Sequence, residues 1–121
     1  MHYFVGMHVT RYQDAPAYEA PGHANVASFR LQGQEVSPSR NCWVGLSHYL
    51  PQGAAEAGSS NAEKIYVVLS GEITVITDSG EATLGPLDSC YLAAGERRSV
   101  VNRTNAPASM LVIMGYLPKG G

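Results

Sequence analysis

The chain has 121 residues, long enough for one domain with a proper core and short for two. A net charge of -2 with only 15% charged residues leaves no clustered Lys and Arg for nucleic acid or an anionic membrane surface. No apolar run approaches the roughly 20 residues that span a bilayer. The N-terminal MHYFVGMHVTRYQD has no basic stretch followed by a long apolar one, so a cytoplasmic protein with no membrane partner is expected.

Residues 1–22, with Pro16, Pro21 and Gly22, read as an N-terminal arm in which Tyr3 to Thr10 adds a strand to this chain or swaps onto a partner. Residues 23–121 read as one barrel. His2, His8 and His23 are scattered through the beginning of the chain and carry no assigned chemistry, although His23 is placed to fold over a barrel mouth. Strands are predicted over 25–31, 41–50, 64–69, 72–77, 81–84, 89–92, 97–102 and 108–116. The turns between them are Ser70-Gly71, Asp78 to Gly80, Gly85-Pro86, Ala94-Gly95 and Thr104 to Pro107. No helical apolar period lasts beyond two turns. Many short strands in one domain predict an all-β protein with little helix, closed into a barrel or sandwich that hides its strand edges.

Within AEKIYVVLSGEITV, Lys64 stands at the mouth of a run that otherwise reads as buried strand. Such a lysine is either a solvated gatekeeper at the strand end or the centre of a site, because a charge entering an apolar interior must be paired, neutralised or used. In CWVGLSHYL, alternation puts Cys42, Val44, Leu46 and His48 on one face, which is either the inner or the outer one. Cys42 and Cys90 lie far apart without CxxC spacing and read as free thiols at core positions. Trp43 and Tyr91 read as packing residues.

From Trp43 to Tyr116 the sequence resembles the cupin family of jelly-roll β-barrels. The first motif of that family runs here from Gly53 through AAEAGSSNAEKIYVVLSG to Gly71, and the second from Leu87-Asp88 through SCYLAAGERRSVV to Asn102. Gly71, Gly95, Asp88 and Asn102 match the motifs. The resemblance implies a barrel of two antiparallel sheets and a homodimer, which the doubly apolar strand ASMLVIMGY and the arm also favour. The metal positions depart from the family: its two motif-one histidines fall near Gly58 and Ser60, its glutamate at Lys64 and its last histidine at Arg98. Amine and guanidinium groups present donors only, so no metal and no other cofactor is expected at that place. Glu63, one position away, faces the opposite side of its strand and reaches the site only through a bulge.

In that register Lys64 and Arg98 come from neighbouring strands and share a mouth with Tyr66, Val68, Val100 and Asn102. Two cations in an apolar hollow suit a small organic anion, with Arg98 gripping a carboxylate and Lys64 made a base or nucleophile by a lowered pKa. The first expectation is thus a metal-independent enzyme on a small oxo- or hydroxy-carboxylate, working as a tautomerase, decarboxylase, dehydratase or lyase. Lys64, Arg98, Tyr66 and His48 are its catalytic candidates, and Arg98, Lys64 and Asn102 its binding candidates. The second is a non-catalytic module that binds a small anionic metabolite. The third is an assembly protein in which Lys64 and Arg98 are neutralised by Glu63, Glu56 or Glu96.

Overall fold

The computed structural model describes residues 6–116, and within them the chain is built from strands. A single 3-10 turn, Tyr12–Asp14, precedes β1 (Ala17–Tyr18), β2 (His23–Gln32), β3 (Cys42–Gly58), β4 (Lys64–Ser70), β5 (Ile73–Thr77), β6 (Gly80–Leu84), β7 (Ser89–Leu92), β8 (Arg98–Val101) and β9 (Ala108–Gly115). All pairings are antiparallel. They run in the order β6-β5-β8-β3-β9-β4-β7, with β2 beside β3 and β1 beside β2, giving a nearly closed jelly-roll barrel.

One strand belongs to both walls. The first half of β3 pairs with β9 from Cys42 to Tyr49, and its second half pairs with β8 at Ala54, Ala55 and Gly58. Pro51-Gln52-Gly53 reads as a turn in sequence, which is why the predicted strand stops at Leu50. Instead Gln52 takes a φ of 67° and bends the strand without ending it, while Gln52 N donates to Asn102 O and Asn102 N donates to Gly53 O at 2.9 Å each. The bend carries β3 from one wall of the continuous nine-stranded sheet to the other.

The turns follow the sequence closely. At Ser70-Gly71, Gly71 has a φ of 74°, and a Cβ there would press on Pro107 O at 2.6 Å and on Ala108, so only glycine closes the hairpin against the neighbouring loop. Period-two alternation in β4 buries Lys64, Tyr66 and Val68 and turns Ile65 and Leu69 outward. The lower barrel is filled by Val68, Ile73, Val75, Val100, Ala108 and Met110. Each of the larger side chains contributes about 2 kcal/mol by leaving water.

The arm does not add the strand expected over Tyr3 to Thr10. Tyr3, Phe4 and Val5 lie outside the described residues, as do His2 and residues 117–121, and residues 6–11 carry no strand. The strand formed by the arm is β1, where Ala17 and Tyr18 pair with Phe29 and Ser28 of the same chain. No helix among the described residues is long and apolar enough to cross a membrane.

Candidate functional site

The upper barrel encloses a pocket of about 520 Å³, a volume typical of small-molecule sites. Strand register fixes the layout of its floor. Trp43, Met114 and Lys64 form one transverse row across β3, β9 and β4. Arg30, Gly45, Val112 and Tyr66 form the next, and Ser28, Ser47, Met110 and Val68 the one below. An apolar strip along β9 therefore separates two polar ends. The arm segment from Tyr18 to His23 closes one side of the mouth.

At the β4 end stand Lys64, Tyr66 and, from the facing wall, Arg98. Lys64 is only 7% exposed and makes no hydrogen bond or ion pair with any described residue. Burial, helped by the nearby Arg98 charge, lowers its pKa to about 8, so a minor but usable fraction of the amine is neutral near physiological pH. Arg98 donates from Nε to Tyr66 Oη at 2.8 Å and from Nη1 to Glu56 O at 3.0 Å. Nη2 and one Nη1 hydrogen remain for a ligand. Burial raises the Tyr66 pKa, with Arg98 pulling it partly back, so the phenol stays protonated. Because Tyr66 Oη accepts from Arg98, its own hydrogen is free to point into the pocket.

Lys64 and Arg98 share the pocket as expected, but not from adjacent strands. β4 and β8 lie in different walls with β3 and β9 between them, so the two cations approach a ligand from opposite sides. The count that chose Arg98 over Arg97 holds, since Arg97 is exposed and Arg98 is half-buried in the lining. Glu63 is outside the pocket, accepting from Tyr91 Oη at 3.0 Å, and Glu96 accepts from Ala93 N. Glu56 meets Arg98 through its backbone carbonyl, and none of Glu56, Glu63 and Glu96 forms an ion pair with either cation among the described residues. The ion pairs among the described residues are Arg30–Glu35 and Arg103–Glu81.

Two site expectations require correction. His48 faces the outer surface, where its Nδ1 meets Ser109 Oγ at 2.7 Å, its Nε2 meets Tyr12 Oη at 2.9 Å and Phe29 packs edge-on against its ring. The inner face of β3 is the alternate one, with Trp43, Gly45, Ser47 and Tyr49. Asn102 is wholly buried, with Nδ2 donating to Tyr49 O, Leu50 O and Ala106 O and Oδ1 accepting from Thr104 N and Oγ1. Its hydrogen-bonding capacity is spent on tying β8 to the β3 bend, so it binds no substrate.

The sequence reading also missed the other end of the pocket. Arg30 lies over the rings of Tyr18 and Trp43, at 4.0 and 4.4 Å from their centroids, and its Nε pairs with Glu35 at 3.2 Å. Alternation in HANVASFRLQ, which puts Ser28 and Arg30 opposite Phe29, was the available signal. His23 lines the mouth, with Nδ1 against Pro21 O.

The donor chemistry does not fit a divalent cation. Among the described residues no three His, Cys, Asp or Glu side chains converge. The residues singled out by the motif spacing are Gly58, Ser60, an amine and a guanidinium, none of which is a good divalent-cation ligand.

A cupin-domain family model matches residues 45–114. A protein of Mycobacterium tuberculosis (strain ATCC 25618 / H37Rv) named "Beta-D-galactosidase Rv1717" is 47% identical over 110 residues, which is 91% of this chain and 95% of that protein. Among solved structures, the polyketide cyclase RemF from Streptomyces resistomycificus superposes with a TM-score of 0.80 at 18% identity, covering 91% of this chain and 80% of that one. A sugar phosphate isomerase of the cupin superfamily from Silicibacter pomeroyi gives 0.68 at 26% identity, covering 78% of this chain and 61% of that one.

Proposed function

We propose that this chain, which belongs to the cupin family, is a metal-independent acid–base enzyme acting on a small oxo- or hydroxy-carboxylate. The observation that carries this reading is the buried Lys64 amine, without a counter-ion, in one pocket with Arg98 and the protonated Tyr66. Arg98 binds the carboxylate through Nη1 and Nη2. The neutral Lys64 amine takes the proton from the carbon next to the carbonyl or carboxylate. Tyr66 gives its phenolic proton to the oxygen that gains charge, with Arg98 steadying the phenolate left behind. In a tautomerisation Lys64 returns its proton to the neighbouring carbon while the hydroxyl on that carbon gives its proton to the Tyr66 phenolate, and in an elimination the protonated oxygen departs as water or an alcohol and the proton held by Lys64 restores the phenol. Free Cys42 and Cys90 accord with a reducing cytoplasm.

The test is turnover and binding of a panel of oxo- and hydroxy-acids by the metal-stripped protein, monitored by proton exchange at the α carbon. Exchange that vanishes in Lys64→Met supports the reading. Saturable carboxylate binding without exchange supports the non-catalytic module instead, and neither binding nor exchange rejects both. Borohydride trapping with an oxo-acid adds a second check, because mass added at Lys64 means an imine rather than simple proton transfer.

A second reading is β-galactoside hydrolysis, favoured by the relative's name and by Glu19 and Glu56 at the pocket mouth. Glycoside hydrolysis in its usual form uses two carboxyl groups. Release of nitrophenol from nitrophenyl β-D-galactoside that is lost in Glu56→Gln and kept in Lys64→Met favours this reading over the first.

A further inference from the structure

The pocket is larger and longer than a small carboxylate requires. From Tyr66 on β4 to Arg30 on β2 the floor spans three inter-strand steps, about 14 Å between backbones at about 4.8 Å each. Between these ends lie Met114, Val112 and Met110, which offer no hydrogen bonds. A three-carbon acid held at Arg98 leaves the far end untouched.

That far end is built. Arg30 sits in the corner made by the Tyr18 and Trp43 rings, which stand at 87° to each other, and is held by Glu35 at Nε, and neither terminal nitrogen donates to a described residue. Tyr18 is fixed in turn. Its hydroxyl reaches Ser28 and Ser47 and sits directly over Gly45, where a Cβ would collide with it. Arg30 lines the pocket, with 15% of its side chain exposed. Since Glu35 already neutralises the guanidinium, a second anion gains little there. Uncharged oxygens in a pair, as on a ring diol, match two neighbouring N–H donors without a charge requirement.

Resting on the carboxylate reading of the Lys64 and Arg98 end, we propose that Arg30, held against Tyr18 and Trp43, is a second recognition group that selects a hydroxylated ring. The preferred ligand is then a sugar acid of hexuronate size, its carboxylate at Arg98, its C–H face on the Val112 and Met114 strip and its far hydroxyls at Arg30.

Calorimetric titration of the intact protein with D-galacturonate, D-glucuronate, pyruvate and D-galactose tests this, together with Arg30→Gln and the double variant Ser28→Ala/Ser47→Ala. Replacing both serines removes a hydrogen-bonded pair together and takes the partners from the Tyr18 hydroxyl while leaving Arg30 itself in place, and circular dichroism checks the fold of both variants. We expect a hexuronate to bind at least ten-fold more tightly than pyruvate. Arg30→Gln then weakens the hexuronate ten-fold or more and leaves pyruvate unchanged, and the double serine variant weakens the hexuronate several-fold by loosening Tyr18. Pyruvate binding that equals hexuronate binding, or hexuronate binding indifferent to both variants, overturns the second end while the carboxylate site stands. If galactose binds as tightly as the hexuronates and no acid responds to Arg98→Gln, the carboxylate reading falls, and this proposal with it.

Discussion

Arg98 and Tyr66 belong to different walls of the barrel, yet the arginine Nε donates to the phenol oxygen across the pocket at 2.8 Å. The pair joins the group that binds the anion to the group that supplies the proton. Removing each should therefore affect different constants. Tyr66→Phe should lower kcat by 10²–10⁴-fold, the usual worth of a general acid, with KM little changed. Arg98→Gln should raise KM ten-fold or more and also lower kcat, because the phenolate is no longer steadied. Steady-state kinetics of the two variants separates the roles, and a Tyr66→Phe variant with full kcat excludes the phenol as acid.

Lys64 should govern the pH dependence. Its pKa of about 8 means that the free-base fraction, and with it kcat/KM, rises roughly ten-fold per pH unit below 8 and levels off above. The same shift acts on stability with a definite sign. In the folded state the amine releases its proton near 8, whereas in the unfolded chain it holds it to its ordinary 10.5, so between these values the unfolded state binds more protons and stability rises with pH. Below about 8 the buried charge is a standing penalty. Lys64→Met should accordingly raise the melting temperature by a few degrees at pH 7, and the advantage should fade by pH 10.5. Thermal melts of both proteins across this range check it.

Asn102 predicts loss of stability without an effect on ligand binding. Its wholly buried side chain serves three backbone carbonyls and one turn N–H, one of these bonds buried and the others partly so. Asn102→Ala should cost about 2–4 kcal/mol, as expected when several buried groups lose their partner together. Urea unfolding gives the loss, and calorimetry on the surviving folded fraction should give an unchanged dissociation constant.

His48 predicts the opposite separation of effects. On the outer face it links the arm at Tyr12 to β9 at Ser109, so His48→Ala should leave kcat and KM at wild-type values. Two exposed or half-buried hydrogen bonds are worth about 1–2 kcal/mol together. Limited proteolysis should show faster cleavage in the segment before β1, while the barrel stays intact.

Self-association offers a further prediction. The outer side of β7, β4 and β9 carries Tyr91, Ile65 and Ile113 in one row, with Leu69 exposed nearby. An apolar sheet face of this kind suits a second copy of the chain. Sedimentation should give twice the monomer mass, and Ile65→Glu should give a monomer whose fold is unchanged by circular dichroism.

Much of this architecture was legible because strands and turns announce themselves locally. Glycines with left-handed backbone, such as Gly71, Gly80 and Gly95, sit at the expected turns, and β7 has the bounds that alternation suggests. The long β3 was not legible, since Pro51-Gln52-Gly53 has the composition of a turn and its bend depends on pairing with distant Asn102. Lys64 and Arg98 emerged from the resemblance to the cupin motifs, whose spacing counts them from Gly71 and Gly95. Their opposition across the barrel depends on which strands pair, a long-range property. Arg30 escaped notice for the same reason: nothing within HANVASFRLQ reveals that Tyr18 and Trp43 will close on its guanidinium. His48 shows the ambiguity of alternation, which tells that two faces differ and not which one is inside.

The continuous β3 has a mechanical consequence. Both walls of the pocket hang from one unbroken backbone, so they cannot swing apart about a linker as two lobes would. Traffic through the mouth falls instead to the Glu19–His23 stretch, tethered by β1 upstream and β2 downstream. Ligand exchange should then be timed by peeling of a two-residue strand, a small and quick event, and not by deformation of the cage.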